Sequence, residues 1–470
     1  MKRIKFTYLV ALAMSASILF SAAACSARNI RAASTSDQQT ATAQSLSSDK
    51  EISNYNDSEH AIEASGQTAE YSDVTVTKTG SSSLGDEADF YGDNSAVFAT
   101  DKATLTLKNI TVNTDGKHAN AVFSYGEGTT VNISDSKITT SGDCSGGLMA
   151  TGGGTMNASN LDIHTTGNSS AAIRSDRGGG TVNVNGGTYL TEGQGSPSIY
   201  STADINVINA TLESTSSEGI VVEGKNSVTL NNVTLTANHN AHNSDKTDNL
   251  NAVMIYQSMS GDASVGLASF TMKGGSLTNK KGDIFFVNNT SATITLENVS
   301  ITNQDSSGVF LRAAAAGWGS EGSNGGKVNL YLNNQTQNGD IVVDSVSVLN
   351  MYLASSSTYT GAINSDNKGQ VYVEIGSGSK WVLTGDSYVT SLTCDADAID
   401  LNGHKLYVNG VEYKSGTSST GTAIEIKTES SGTNGQPDGK PGEPPSGEKP
   451  QGDPPAGGPG GNGEQPPAKP

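Results

Sequence analysis

LTLKNITV (residues 105–112) and VNISDSKI (131–138) share one plan: apolar, any, apolar, two turn residues, then three positions ending on an apolar one. The plan recurs in MNASNLDI (156–163), VNVNGGTY (182–189), INVINATL (205–212), VTLNNVTL (228–235), FTMKGGSL (270–277) and ITLENVSI (294–301). Its second turn residue is Asn109, Asp135, Asn160, Gly186, Asn209, Asn232, Gly274 or Asn298. Gly, Asn and Asp are the residues that readily adopt a left-handed backbone, so this column marks a sharp corner between two strands. Its spacings are 26, 25, 26, 23, 23, 42 and 24 residues, the long one holding an insertion.

A further strand precedes each unit, in AVFAT (from 96), AVFSY (121), GLMAT (147), AIRSD (172), SIYST (198), GIVVE (219), AVMIY (252), DIFFV (283) and GVFLR (308). Short strands closed by tight corners, with like residues repeating coil after coil, predict an all-β chain folded as a parallel β-helix. One coil cannot bury an apolar face alone, so stacking must supply the core. Strand alternation places Val97, Val122, Leu148, Ile173, Ile199, Ile220, Val253, Ile284 and Val309 in one inward column. An antiparallel sandwich fits the regular corner column poorly.

Residues 1–24 read as an export signal, with Lys2, Arg3 and Lys5 ahead of an apolar stretch and Ala22-Ala23-Ala24 before Cys25. The alanines and Cys25 are similar to a bacterial lipobox, which predicts a lipid on Cys25, membrane attachment through it and a cell-surface location. Residues 25–66 are Ser-, Ala- and Thr-rich and read as a flexible tether, 67–414 as the β-helix, and 415–470 as a disordered Gly/Pro-rich tail. The tail carries no LPxTG-like sequence, so attachment is expected at the N-terminus.

The net charge of −19 and the lack of a basic stripe argue against a nucleic-acid partner. Cys25, Cys144 and Cys394 are the only cysteines. The last two lie some ten coils apart, on the order of 45 Å at strand spacing, and two unpaired thiols are expected.

The phrases NAVFSYGEGTTVNIS, SAAIRSDRGGGTV, SPSIYSTADI, EGKNSVTLNNVTLT, MIYQSMSGDA, DIVVDSVS and LNGHKLYVNG resemble adhesin-like β-helix surface proteins of anaerobic bacteria, a group related to carbohydrate-binding β-helix domains. The resemblance spans residues 70–414. It implies a right-handed, single-stranded, pectate-lyase-like helix on the cell surface, and it carries no catalytic residues across.

With Val97 inward, the next position along each strand faces out: Phe98, Phe123, Met149, Arg174, Tyr200, Val221, Met254, Phe285 and Phe310. Tyr125, Asp176, Glu223 and Tyr256 lie two residues further on the same face. An apolar row on a surface either binds something or is covered, and the insertions at 239–251, 257–268 and 313–326 begin near it. If bare, the row suits a polysaccharide or glycosylated surface, with Phe98, Phe123, Tyr125, Met149, Arg174, Asp176, Arg177, Tyr200, Glu223, Tyr256 and Trp318 as contacts. Trp318 serves equally as a plug packed on the helix side. Arg174 and Asp176 are expected as an exposed ion pair worth about 0–1 kcal/mol, with a grip on a sugar as the alternative.

No catalytic set assembles from these residues. Asp176 and Glu223 stand two coils apart, about 10 Å, too far to share a Ca²⁺ with bonds of about 2.3–2.6 Å. His239, His242, Asp245 and Asp248 read as a solvated loop before a metal site. A non-enzymatic, monomeric glycan binder without a cofactor is the resulting expectation, with a polysaccharide lyase or hydrolase and a ligand-free stalk as alternatives.

Overall fold

A computed structural model describes residues 44–45 and 50–427; the stretch read as an export signal, Cys25 and most of the Pro/Gly-rich tail lie outside them. The described chain is all-β with long parallel sheets, consistent with a parallel β-helix or solenoid. One coil runs Val97–Thr100, Thr104–Lys108, Thr111–Thr114, and the next Val122–Tyr125, Thr130–Ser134, Lys137–Thr140. Each strand pairs in parallel with its counterpart one coil on, as Leu105 with Val131 and Val112 with Ile138. Strands before and after the corner build one 20-stranded sheet, and the preceding strands build a second of eleven.

All eight predicted corner residues have positive φ, between 51° at Asn109 and Asp135 and 76° at Gly186. Polar ladders that sequence reading passed over close other bends. Ser145, Ser170 and Ser196 are fully buried; each hydroxyl accepts an amide from the preceding coil and donates to a carbonyl there, Ser145 to Gly116 at 2.8 Å. Buried backbone polar groups are thereby satisfied away from water.

Val97, Val122, Leu148, Ile173, Ile199, Ile220 and Val253 have no exposed surface and stack in register. Beyond Val253 the expected column is wrong by one residue. Asp283 stacks on Asn251, so Val253 pairs with Phe285 and Phe285 with Leu311. Phe285 is therefore a core residue, edge-on to Phe270 and Phe310 at 5.5 and 5.7 Å, and Phe286 takes the outward place assigned to it. Phe310 is likewise core, and Ile284 and Val309 leave the column.

Two segment boundaries also move. Glu51–Asn54 and Ile62–Ser65 already pair with Thr75–Lys78 and Val97–Thr100, so coils begin inside the stretch read as tether. At the other end Ser419, Gly421 and Ile424 hydrogen-bond back to Cys394, Thr393 and Asn350, extending ordered chain past 414. Trp381 is buried and donates its indole N–H to Gly361 O at 2.9 Å.

Candidate functional site

The outer face of the second sheet is covered, not bare. Between Thr75–Lys78 and Val97–Thr100 the chain forms the short helix Asp86–Tyr91, with Asp86, Glu87 and Asp89 in its first turn and Gly92 as a left-handed C-cap. Acidic residues at a helix start and glycine at its end are the ordinary signals, but six residues leave no periodicity to read. The helix lies over Phe98, Phe123, Tyr125 and Met149, which form a second apolar cluster outside the main core with Tyr91 against it. Phe123 and Met149 have no exposed surface. These four expected contacts therefore cannot reach a ligand, and their cover is not one of the three insertions foreseen.

Further along, Val221, Met254 and Phe286 form a third cluster, packed by Tyr200, Tyr256, Ala314, Ala316 and Trp318. Trp318 meets the Tyr256 ring edge-on at 5.1 Å, so it is a plug on the sheet. His239 is buried too, its Nδ1 accepting the Asn251 amide at 3.2 Å and facing Glu218 at 3.6 Å, so this part of the loop is not solvated.

Between the two clusters the apolar row is broken by Arg174. Its guanidinium donates to Asp176 Oδ2 at 2.7 Å, and to Asp89 Oδ2 and Ser169 O at 3.4 Å each. Asp176 and Asp89 are buried and Arg174 nearly so, which overturns the exposed-pair expectation. Burial pushes the Asp176 carboxyl up to about 6 even with the guanidinium beside it, whereas the two carboxylates hold Arg174 firmly charged against its own desolvation. Arg177 donates twice to Asp262 Oδ1, at 3.0 and 2.7 Å, and lies 4.0 Å over the Phe90 ring. It thus ties the 257–268 insertion to the helix through an ion pair and a cation–π contact.

Two coils on, the Tyr200 and Tyr256 hydroxyls both donate to Glu223 Oε2, Tyr256 at 3.2 Å, and lie 3.1 Å from each other. Burial is the first cause raising the Glu223 carboxyl and both phenols. All of the expected polar positions, Arg174, Asp176, Arg177, Tyr200, Glu223 and Tyr256, are therefore gathered on one face.

A cleft of about 250 Å³ opens beside them, walled by Asp86, Asp89, Phe90, Arg174, Asp176 and Tyr200 among others. A second cavity of about 110 Å³ continues past Tyr200, Gly195, Pro197 and Asn243, which border both, to Trp318. A larger groove of about 470 Å³ runs across the first sheet along Asn132, Asn157, Asn183 and Asn206. Those amides bond one another at 3.0–3.2 Å, so it is a wall of paired groups, and the candidate site is the smaller cleft.

The chain is thus an all-β protein of long parallel sheets, consistent with a parallel β-helix or solenoid, with a polar cleft between the segments that cover one face. No family model, curated protein or solved structure matches this chain.

Proposed function

We propose that this chain is an exported, right-handed, pectate-lyase-like β-helix that binds saccharide without chemistry, held at the cell surface by a lipid on Cys25. The observation carrying the reading is the cleft beside Arg174. Its planar guanidinium, carboxylates and the Asn243 side chain can meet sugar hydroxyls, while Phe90, Pro197 and Tyr200 offer apolar surface. At about 250 Å³ it falls below the ~300–1,000 Å³ of sites for drug-sized ligands, which suits a chain end or single sugar unit over a run of polymer.

Labelled protein on a glycan array is expected to bind a restricted set of terminal sugars. Tyr200→Ala and Asn243→Ala should each weaken that binding at least about tenfold, since one lost hydrogen bond with its packing is worth about 1.4 kcal/mol or more. Wild-type protein that binds no glycan would sink the reading.

One observation favours a hydrolase instead: Asp176, raised by burial, borders the cleft, and Glu223, likewise raised, accepts a hydrogen bond from Tyr200, which also borders it. A raised carboxyl is what a general acid needs. Against it, Asp176 is committed to Arg174 and Glu223 to two tyrosines, which leaves neither poised to hand a proton to a leaving group. Release of reducing sugar by purified protein, abolished in Asp176→Asn, would establish this second reading.

A further inference from the structure

Beneath the cleft three side chains from three successive coils converge. A ring nitrogen of His118, a carboxylate oxygen of Asp89 and Cys144 Sγ all lie within 4.8 Å of one another. His118 is 2% exposed, and its Nδ1 sits 3.2 Å from Asp89 Oδ2 yet makes no well-directed hydrogen bond. A buried ring nitrogen left in that state is costly unless something else engages it.

The backbone does not ask for these residues. His118 and Cys144 occupy equivalent corner positions one coil apart, both left-handed with φ of 57° and 56°. The next two coils fill the same position with Ser169 and Gly195, also at positive φ. Serine and glycine suffice for the turn, so the imidazole and thiol need another explanation.

We propose that Asp89, His118 and Cys144 form a binding site for a divalent cation of the zinc class. Sulfur, imidazole nitrogen and carboxylate oxygen are the donors such a borderline-soft ion takes. Tetrahedral bonds of about 2.0–2.3 Å set donors about 3.3–3.8 Å apart, so the His118–Asp89 pair at 3.2 Å already stands at about the required spacing, and Cys144 Sγ lies within 4.8 Å of both. Binding displaces the thiol proton to solvent. The thiolate, Asp89 and Asp176 then carry three negative charges against Arg174 and the ion's two positive ones, and the buried cluster is neutral.

The surroundings supply an outer shell. Asn120 Nδ2 donates to Asp89 Oδ1 at 3.0 Å, and Asn120 is itself buried, which fixes the carboxylate in place. Asp89 and Cys144 also border the cleft. Three protein donors leave the fourth position open on that side, to water or to a ligand hydroxyl. The site stands whether or not the cleft takes a saccharide.

The test is Co²⁺ and Zn²⁺ titration of the full chain, first stripped with chelator. One equivalent of Co²⁺ is expected to bind with a near-ultraviolet thiolate-to-cobalt charge-transfer band, which stoichiometric Zn²⁺ abolishes. Cys144→Ser should remove the band and weaken Zn²⁺ by about 100-fold or more, beyond the 10–100-fold typical of losing an outer-shell partner. Ser169 shows that serine is compatible with this corner, and an unchanged circular dichroism spectrum would confirm the variant's fold. Cys25→Ser and Cys394→Ser should leave the band intact. No stoichiometric binding, binding without a thiolate band, or a band that survives Cys144→Ser would each overturn the proposal.

Discussion

Arg174→Met is expected to destabilise the coils around the cleft by about 3–5 kcal/mol at pH 7.5, the usual cost of removing one partner from a buried ionic cluster. Methionine keeps the length and apolar stem, so the loss is that of the charge between Asp89 and Asp176. Because each coil touches only its neighbours, the effect is regional and is best read by native-state hydrogen exchange in the surrounding strands.

The loss should depend on pH, and its sign follows from the Asp176 carboxyl. Its folded value, about 6, lies above the ordinary 3.8, so the folded chain holds this proton more tightly than the unfolded chain. Stability from this group is present in full below the unfolded value and is lost as pH rises through about 6. Removing the guanidinium raises the carboxyl further, so at pH 5.5 the variant carries a protonated Asp176 and a smaller penalty. Asp176→Asn in the Arg174→Met background should recover part of the loss at pH 7.5. An effect under about 1 kcal/mol, equal at both pH values, would mean that the pair behaves as an exposed one.

How far the sequence carried depends on how narrow each physical requirement is. A left-handed corner admits few residue types, so the column from Asn109 to Asn298 was legible one position at a time. The inward column was legible while its neighbours differed in polarity, as Ile173 and Arg174 do. It failed at Asp283-Ile284-Phe285-Phe286, where apolar residues on both faces satisfy two registers and the polar Asn251–Asp283 stack decides between them. The helix over Phe98 and Phe123 was illegible for a different reason. Its function is to cover residues far along the chain, which no local pattern records.

The Asp89–His118–Cys144 cluster lay within reach. His118 and Cys144 are 26 residues apart, one coil of the repeat already found, and extending that repeat to KHAN, DCSG, NSSA and QGSP would have stacked them. Asp89 comes from the inserted helix and could not have been added without the fold. Arg174 was found as an anomaly in an apolar row. Its burial depends on that same helix, and so the expectation of an exposed pair failed with it.

Gly142→Ala is expected to cost about 3 kcal/mol or more, at the upper end of what forced overpacking does. Gly116, Gly142, Gly167 and Gly193 recur at the coil repeat, each with its Cα facing the carbonyl of the glycine one coil before. A Cβ on Gly142 would stand 2.0 Å from Gly116 O and 2.6 Å from its carbonyl carbon, both backbone atoms that no rotamer change can move. Relief requires two coils to separate by more than an ångström, which breaks neighbouring bonds such as Ser141 N–H to Thr114 O at 2.9 Å. His118 and Cys144 lie on the two coils being pushed apart, so cobalt binding should be lost with stability. The control is Gly274→Asn. Gly274 has φ of 62° and open space around its missing side chain, and Asn232 and Asn298 hold the same column in the flanking coils. That substitution should stay within about 0.5 kcal/mol of wild type. Thermal unfolding of both variants separates the cases: a Gly142→Ala protein melting with wild type would refute the close coil contact, and a strongly destabilised Gly274→Asn would refute the corner column.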